Sequence, residues 1–351
     1  MKLLRLLLFP FSLLYGLVVI LRNLAYDFGI FKSQKFGSSV ISVGNLSVGG
    51  SGKSPMTEYL VRLLKVKYKV AVLSRGYGRK TSGFQYVDTN SFSSDSGDEP
   101  LQFKSKFTDI TVAVCEDRVA GITELEKNHE LIILDDAFQH RAVKPGLSIL
   151  LFEYSSLFKL QWLLPTGDLR EPMWAVDRAD IVVVSKCPEK MNHEQQNVIR
   201  SKFRTAHLFF SFLKYGNLKS FNENTPERRL ETINQKTKVI LLTGIANAGP
   251  LLSELASYGP ELIHHQYPDH HQFSDKNIAK LVNAFSELGG DDNLIITTEK
   301  DAQRLRMVGL KEQLKDLALY YLPVEAVFRD ADGTRFNNLI EEYASKSAGN
   351  N

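Results

Sequence analysis

A chain of 351 residues has room for two domains, and its 43% hydrophobic and 24% charged residues exclude an intrinsically disordered protein. Its two cysteines, Cys115 and Cys187, lie far apart, which excludes a disulfide scaffold and fits a reducing compartment. The net charge of +3 arises at the N-terminus, where residues 1–37 hold five basic residues and one acidic residue. No basic stripe with interleaved aromatic residues follows, so we expect no nucleic acid partner.

The first predicted element is an apolar helix near the N-terminus. Sixteen residues without a charge lie between Arg5 and Arg22. As a helix they would cover about 24 Å, less than the ~30 Å of a bilayer core, and Pro10 should bend this helix or start its second part. A secretory signal and a buried core helix are the alternatives. The cationic flanks favour a membrane anchor over residues 1–30, with the rest of the protein on the cytoplasmic side.

Six apolar runs rich in Val, Ile and Leu come next, several of them separated by helical stretches such as 54–67. We expect strands at 39–44, 69–74, 110–114, 131–136, 147–153 and 181–186. Continuously apolar strands are typical of a parallel sheet that is covered on both faces. The pattern therefore predicts an α/β fold with a doubly wound sheet over residues 31–215.

A polar segment at 216–237 interrupts this pattern, and we interpret it as a linker. A second set of strands is expected at 238–244, 262–268, 294–301 and 317–324. These strands predict a smaller α/β domain over residues 238–328, followed by a C-terminal helix and tail over 329–351. A cleft should separate the two domains.

The stretch 45–55 reads NLSVGGSGKSP and lies between a predicted strand and a predicted helix, the context of a phosphate-binding loop. Ser47 stands where the motif G-x-x-x-x-G-K-[ST] has its first glycine. The glycines let successive N–H groups point at phosphate oxygens, while Lys53 would reach the terminal phosphates and Ser54 would bind Mg²⁺. The candidate nucleotide-binding residues are Ser47, Val48, Gly49, Gly50, Ser51, Gly52, Lys53 and Ser54. The expected fold is therefore P-loop NTPase-like.

A pair of acidic residues supports this interpretation. Asp135 and Asp136 follow four apolar residues at the end of a predicted strand, where a carboxylate would hold or orient Mg²⁺. A guanine-specific site would show [NT]-K-x-D after a later strand, and neither 185–188 nor 298–301 has that pattern. We therefore expect ATP as the nucleotide and Mg²⁺ as the metal.

Two further segments are candidates for handling the acceptor of a phosphoryl group. Asp98 lies in the loop SGDEP, where its carboxylate could accept a hydroxyl proton, although such a loop could also be merely solvated. Four of the eight histidines lie within 264–271. A metal site and a surface loop are two interpretations of this cluster. A histidine that pairs with the loop carboxylate across the cleft is the third, and we favour it.

Basic residues near turns could bind phosphate. Arg75 and Arg79 lie in the glycine-containing segment SRGYGRK, which suits an anion. Arg170 could stabilise the charge of a transferring phosphoryl group, and the adjacent Glu171 could join the ligands of Mg²⁺. Each of these side chains could equally take part in a structural ion pair.

Seven segments in order resemble the tetraacyldisaccharide 4′-kinase (lipid A 4′-kinase) family. They read GNLSVGGSGKSP, SRGYGRK, GDEP, DDAFQH, LLPTGDLREP, DHHQF and TTEKDAQRL, and the resemblance covers nearly the whole chain. In this family the first-glycine position of the loop is typically Ser or Thr, so Ser47 resembles the family's own form. The family transfers the γ-phosphate of ATP to the 4′-hydroxyl of a tetraacylated glucosamine disaccharide 1-phosphate. It works at the cytoplasmic face of the inner membrane of Gram-negative bacteria.

The resemblance implies roles for individual residues. Asp98 would be the general base and His270 its partner, while Lys53 and Arg170 would act on the phosphates. The implied metal set is Ser54, Asp135, Asp136 and Glu171. Arg118 and Tyr77 are weaker candidates for contacts with the sugar or nucleotide, Arg75 or Arg79 would serve the substrate's 1-phosphate, and no role is assigned to His271.

The expected partners are the lipid A disaccharide precursor and the membrane, and we expect a monomer. Two functions from other classes stay open at this point. A membrane-bound P-loop switch or ATPase would keep Lys53 and Asp135 but would give no role to the GDEP and DHHQF segments. A protein that only senses nucleotide would bind it without turnover.

Overall fold

The strands form two sheets, one of nine strands and one of five, in the computed structural model of the protein. The structure describes residues 5–203, 207–222, 226–289, 292–306 and 309–348. The helices are α1 (Phe9–Asp27), α2 (Lys53–Leu64), α3 (Ser93–Ser96), α4 (Asp98–Lys106), α5 (Arg118–Leu125), α6 (His193–Arg200), α7 (Gly249–Ala256), α8 (Asp275–Glu287), α9 (Glu299–Leu305), α10 (Leu310–Leu314) and α11 (Asp330–Ala348). The strands of the larger sheet up to the linker are β1 (Ser39–Asn45), β2 (Val70–Ser74), β3 (Gln85–Tyr86), β4 (Thr111–Val114), β5 (Leu131–Asp135), β6 (Leu147–Glu153), β7 (Ile181–Ser185) and β8 (Leu208–Tyr215). The remaining strands are β9 (Lys219–Ser220), β10 (Lys238–Thr243), β11 (Glu261–Gln266), β12 (Asn293–Thr298), β13 (Leu319–Leu322) and β14 (Val324–Phe328).

The larger sheet has the order β14-β8-β7-β6-β1-β5-β2-β4-β3, and we call the part of the chain built on it the first domain. All of its pairings are parallel except those of β3 and β14 at the two edges. Strands β1, β2, β5 and β7 are buried at every position, as continuously apolar sequences require when helices cover both faces. The predicted doubly wound α/β sheet is confirmed.

The smaller sheet has the order β11-β10-β12-β13-β9, and we call the part built on it the second domain. Strand β9 lies inside the segment that we interpreted as a linker, and it pairs with β13. Leu218, Phe221, Leu230 and Ile233 from the same segment are buried among the apolar side chains of this domain. The linker interpretation of 216–237 is therefore wrong for most of its length, because a few apolar residues in a polar segment suffice to attach it to the sheet.

The strand predicted at 317–324 is two strands in two different sheets. Strand β13 belongs to the second domain, whereas β14 returns to the first domain and pairs with β8, a strand that we did not predict. Pro323 separates them, and a proline cannot continue a ladder because it lacks the N–H group. Helix α11 then packs on the first domain through Phe336 and Ile340, so the first domain resumes at Val324 and not after residue 328.

The N-terminal helix α1 begins with Pro10 in its first turn, as expected for a residue that starts a helix well. Ser12 and Gly16 are its buried residues, and they face the segment 162–171. A Cβ on Gly16 would lie 2.8 Å from a methyl group of Leu163, so a larger residue here would displace the end of that side chain. Since most of the helix is exposed, the alternative of a buried core helix is wrong.

The topology brings the phosphate loop and the paired acids together. Strand β1 lies between β5 and β6 and runs parallel to both. The carboxyl ends of neighbouring parallel strands meet at one edge of a sheet. The loop after β1 and the carboxylates at the end of β5 are therefore neighbours.

Candidate active site

The phosphate loop connects β1 to α2 in the arrangement that its sequence predicts. Gly49 and Gly52 have φ angles of 105° and 84°, a region that residues with a side chain rarely adopt. A Cβ on Gly52 would also lie 3.3 Å from the side chain of Ser185. Helix α2 begins directly after Gly52, so its free N–H groups and the positive end of its dipole face the loop. The loop is built to bind an anion.

Ser47 is not one of the described residues with a positive φ, which is why a residue other than glycine fits this position. It forms an isolated antiparallel bridge with Leu169, and the N–H group of Val48 donates to the carbonyl of Asp168 at 2.8 Å. The loop is therefore braced by the segment that carries Arg170.

Two cations meet at the second of the paired acids. Arg170 donates to both carboxylate oxygens of Asp136 at 3.1 Å, and Nζ of Lys53 lies 3.6 Å from Oδ1. Burial alone would raise the pKa of Asp136, but the charges of Lys53 and Arg170 lower it below its ordinary value. Asp136 has a φ of 48°, a strained conformation of the kind that clusters at functional sites. Lys53 and Arg170 are therefore held together beside the phosphate loop.

The other paired acid, Asp135, is buried and accepts hydrogen bonds from Ser74 at 3.2 Å and Thr57 at 3.4 Å. Burial, followed by the charges of Glu99 and Asp136, raises its pKa to about 7. A surplus of negative charge around a buried carboxylate fits a divalent cation, which would reverse this shift. The predicted magnesium chemistry therefore fits the donor set.

The candidate metal ligands differ in how far their oxygens are free to bind. Ser54 donates its hydroxyl proton to Glu99 at 2.8 Å, which leaves its lone pairs for a cation. Glu171 is buried and accepts hydrogen bonds from Asn23 and Arg178, so its predicted metal role would compete with an ion pair. Within the described ranges no group of three or more His, Cys, Asp or Glu side chains is placed to hold a metal. A site with only one or two carboxylates suits Mg²⁺, because this ion completes its coordination shell with phosphate and water.

The predicted contact between the loop carboxylate and a histidine is present. Nδ1 of His270, in the second domain, lies 3.2 Å from Oδ2 of Asp98, in the first domain. Burial would raise the pKa of Asp98, but the hydrogen bond with His270 and the charge of Arg304 lower it well below its usual range. The same hydrogen bond raises the pKa of His270. His270 has a φ of 57°, which again marks a conformation that the surrounding structure must enforce.

Helix α9 contributes residues that sequence reasoning missed. Arg304 is fully buried and donates to Asp98, and Lys300 donates to Glu99. Both lie in the segment TTEKDAQRL. This segment is one of the seven that carry the resemblance, but the resemblance assigned no role to any of its residues. Basic residues four positions apart lie on one face of a helix. This spacing, directly after a buried strand, is the sequence signal that could have identified Lys300 and Arg304.

The histidine cluster does not form a metal site among the described residues. His264 and His265 lie on strand β11, and the ring of His271 stacks on Tyr267 at 4.5 Å between centroids. His271 therefore packs within the second domain, and His270 alone reaches the carboxylate of the first. The pairing interpretation of this cluster is the one that the structure supports.

Some of the remaining candidate side chains are already bonded to protein groups, and others are accessible to a ligand. Arg79 forms an ion pair with Glu116 at 2.6 Å and its side chain is 2% exposed, so it is not available to a substrate. Arg75 is exposed and lines the cavity beside the phosphate loop. Arg118 is buried and donates to the carbonyl of Asp135 at 3.2 Å, and its own burial lowers its pKa to about 10. Tyr77 lies beside His270, with 5.1 Å between ring centroids.

A cavity of about 930 Å³ joins these features. Its wall includes the phosphate loop and the carboxylates of Asp98, Asp135 and Asp136. Helix α1 closes one side with Tyr15, Val19 and Arg22, and the second domain contributes His270 and Lys300. The hydroxyl of Tyr15 donates to the carbonyl of Arg170 at 2.9 Å, so the N-terminal helix is attached to the site itself.

Comparison with known proteins identifies the family. The sequence model of the family described as Tetraacyldisaccharide-1-P 4'-kinase matches residues 4–344. The chain belongs to this family. A tetraacyldisaccharide 4'-kinase from Bacteroides thetaiotaomicron is 42% identical over 98% of this chain and 94% of its own length. One from Flavobacterium johnsoniae is 44% identical over 93% of this chain and 94% of its own length.

A solved structure agrees with the fold of this 4'-kinase family member. The crystal structure of LpxK from Aquifex aeolicus in complex with ATP has a TM-score of 0.74 and 31% identity, and the match covers 97% of this chain and 99% of that one. The protein is therefore a phosphotransferase with the P-loop kinase fold of its family, and the resemblance recognised from seven segments is confirmed.

Proposed function

We propose that this protein performs the reaction of its family with Asp98 as the general base. That reaction is the ATP-dependent phosphorylation of the 4′-hydroxyl of a tetraacyldisaccharide 1-phosphate in lipid A biosynthesis. The observation that carries the proposal is the contact of 3.2 Å between Asp98 and His270 in the cavity that the phosphate loop also lines. An ATPase or a nucleotide sensor would have no use for this pair.

Each residue of the site has its own role in phosphoryl transfer. Oδ1 or Oδ2 of Asp98 accepts the proton of the acceptor hydroxyl, and His270 holds the carboxylate in place. Lys53 and Arg170 oppose the negative charge that develops on the transferring phosphoryl group. Mg²⁺, held by Ser54 and Asp135, would neutralise charge on the phosphate oxygens. Asp136 and Glu171 remain predicted members of the metal set.

The membrane supplies the acceptor, and we infer that α1 lies in the cytoplasmic leaflet of the bacterial inner membrane. The helix is long and apolar enough to cross a membrane. Its exposed apolar side chains include Leu13, Leu14, Leu17, Val18 and Leu21. Trp162 extends this surface, since its ring meets that of Phe9 at 5.4 Å in an edge-to-face contact. An amphipathic ring at that position suits the interface between headgroups and acyl chains.

The position of α1 explains how a lipid headgroup would reach the loop. Tyr15, Val19 and Arg22 belong to the cavity wall, so a disaccharide could enter from the membrane surface while its acyl chains stay in the bilayer. Arg75 is the accessible cation among the two arginines that we assigned to the substrate's 1-phosphate.

Mass spectrometry of a tetraacylated disaccharide 1-phosphate incubated with the protein and MgATP tests this function. We expect the mass of the lipid to increase by one phosphoryl group. Asp98→Asn should abolish most of this product while ATP binding persists, and Asp88→Asn is the matched control because Asp88 is exposed in a turn outside the cavity. Release of inorganic phosphate without lipid product would instead establish an ATPase.

A further inference from the structure

We propose that Lys300 is a positioning residue for the magnesium site. Through Glu99 it orients the hydroxyl of Ser54, so that docking of the second domain and binding of the magnesium–nucleotide complex favour each other. The proposal rests on the proposed function, because it assigns Ser54 to the metal.

One carboxylate oxygen joins three elements and two domains. Ser54, at the start of α2, donates its hydroxyl proton to Oε1 of Glu99 at 2.8 Å. Lys300, at the start of α9, donates to the same oxygen. Glu99 lies in the first turn of α4 and lines the cavity together with both partners. The second domain therefore reaches Ser54, at the end of the phosphate loop, through Glu99.

The chemistry of a hydroxyl group explains why this contact matters for a metal. A serine hydroxyl has one proton to donate and two lone pairs to offer. With its proton directed at Glu99, the lone pairs of Ser54 point away from the carboxylate. A charge-assisted hydrogen bond from Lys300 holds that carboxylate in one place. Without Lys300, Glu99 would be free to turn, and the hydroxyl would lose its fixed direction.

Other contacts between α9 and α4 do not pass through Glu99. Lys106 pairs with Glu299 at 2.9 Å, and Arg304 donates to Asp98. These contacts bind the two domains together. Lys106 also pairs with Glu58 of α2 at 2.7 Å, one turn beyond Ser54, but neither contact involves the hydroxyl of Ser54. Lys300 is thus the residue of α9 whose loss should change metal binding more than domain packing.

Coupling between the two events must act in both directions. If docking of α9 strengthens the magnesium site, then magnesium–nucleotide binding must stabilise the docked α9 by the same factor. A purely structural ion pair would contribute to stability but would leave the magnesium requirement of nucleotide binding unchanged. The two roles can therefore be separated without measuring phosphoryl transfer.

Binding of a fluorescent ATP analogue, titrated with Mg²⁺ in the absence of lipid, is the first measurement. For Lys300→Met we expect the magnesium concentration at half-saturation to rise about tenfold, and Lys300→Arg should recover most of this loss. Gln303→Ala is the matched control on the same helix, since Gln303 bonds with Ser105 and not with the loop. Glu99→Gln provides a second route to the same defect should Lys300→Met fail to fold.

Hydrogen exchange of the amides in α9 is the second measurement. The magnesium-bound analogue should slow exchange in the wild type and have less effect in Lys300→Met. An unchanged magnesium requirement in folded Lys300→Met would overturn this inference alone. Absence of nucleotide binding by the wild type would overturn the proposed function and this inference with it.

Discussion

Arg304 donates a hydrogen bond to Oδ2 of Asp98, the same oxygen that lies 3.2 Å from Nδ1 of His270. Arg304 and His270 both belong to the second domain, whereas Asp98 belongs to the first. Arg304 is fully buried and also donates to the carbonyl of Gly244 at 2.8 Å, which fixes its guanidinium. The proposed base is therefore oriented from the opposite domain by two cationic or hydrogen-bonding groups.

Removing the charge of Arg304 should make activity more sensitive to acid. Arg304 and His270 lower the pKa of Asp98, and a base must be ionised to accept a proton. In Arg304→Gln the pKa of Asp98 rises, so the acidic limb of kcat/KM moves to higher pH. We expect the ratio of kcat/KM at pH 4 to that at pH 8 to fall several-fold. Arg304→Lys keeps the charge and should keep a profile close to that of the wild type; an identical profile in Arg304→Gln would contradict the assignment.

The kcat of His270 variants should depend on which ring nitrogen the new side chain imitates. The amide of an asparagine can take the place of Nδ1, which faces Asp98, and asparagine tolerates the positive φ of this position. A glutamine amide imitates Nε2 instead. We expect His270→Asn to keep several-fold more kcat than His270→Gln, with the KM for ATP unchanged in both. Equal kcat in the two variants would show that the contact with Asp98 has no part in turnover.

Without nucleotide and Mg²⁺, Asp135 should limit stability at high pH. Its pKa is raised to about 7 in the folded protein, so its protonated form contributes stability below about pH 4 that is lost as the pH rises through 7. Asp135→Asn lacks this titration and should unfold at a higher temperature than the wild type at pH 8, by several degrees, with a smaller difference at pH 5. Thermal unfolding in the presence of EDTA measures this. A variant less stable than the wild type at pH 8 would refute the prediction.

Charges on the exposed face of α1 should weaken membrane binding. Leu14 and Leu17 are 62% and 53% exposed, and burying a leucine in an apolar phase is favourable by about 2 kcal/mol. We expect Leu14→Lys combined with Leu17→Lys to reduce co-flotation with lipid vesicles at least tenfold. Val66→Lys, at an exposed residue on the loop after α2, controls for added positive charge. Unchanged flotation of the double variant would exclude this face as the membrane contact.

The strands of the first domain were predictable because their evidence is local. Buried parallel strands read as continuous apolar runs, and the loop at 45–55 carries its glycines and Lys53 in consecutive positions. Strands β10, β11 and β12 also lie close to their predicted bounds, but the places of the short strands β9 and β14 were not predictable in this way. Strand β9 has two residues, and β14 departs from β13 at Pro323 to join another sheet. Which sheet a short strand joins depends on partners more than a hundred residues away, such as β8 for β14.

From residue types and spacings alone came the nucleotide site, the paired acids and the apolar N-terminal helix, because each is written in a contiguous segment. The family came from the resemblance of seven ordered segments to a known family. Only the tertiary structure decided which charges meet. It placed Arg304 and Lys300 on Asp98 and Glu99, took Arg79 out of reach by pairing it with Glu116, and attached α1 to the carbonyl of Arg170. The physical reason is that an ion pair depends on distance in space, and a chain folded into two domains brings together side chains that its sequence keeps about two hundred positions apart.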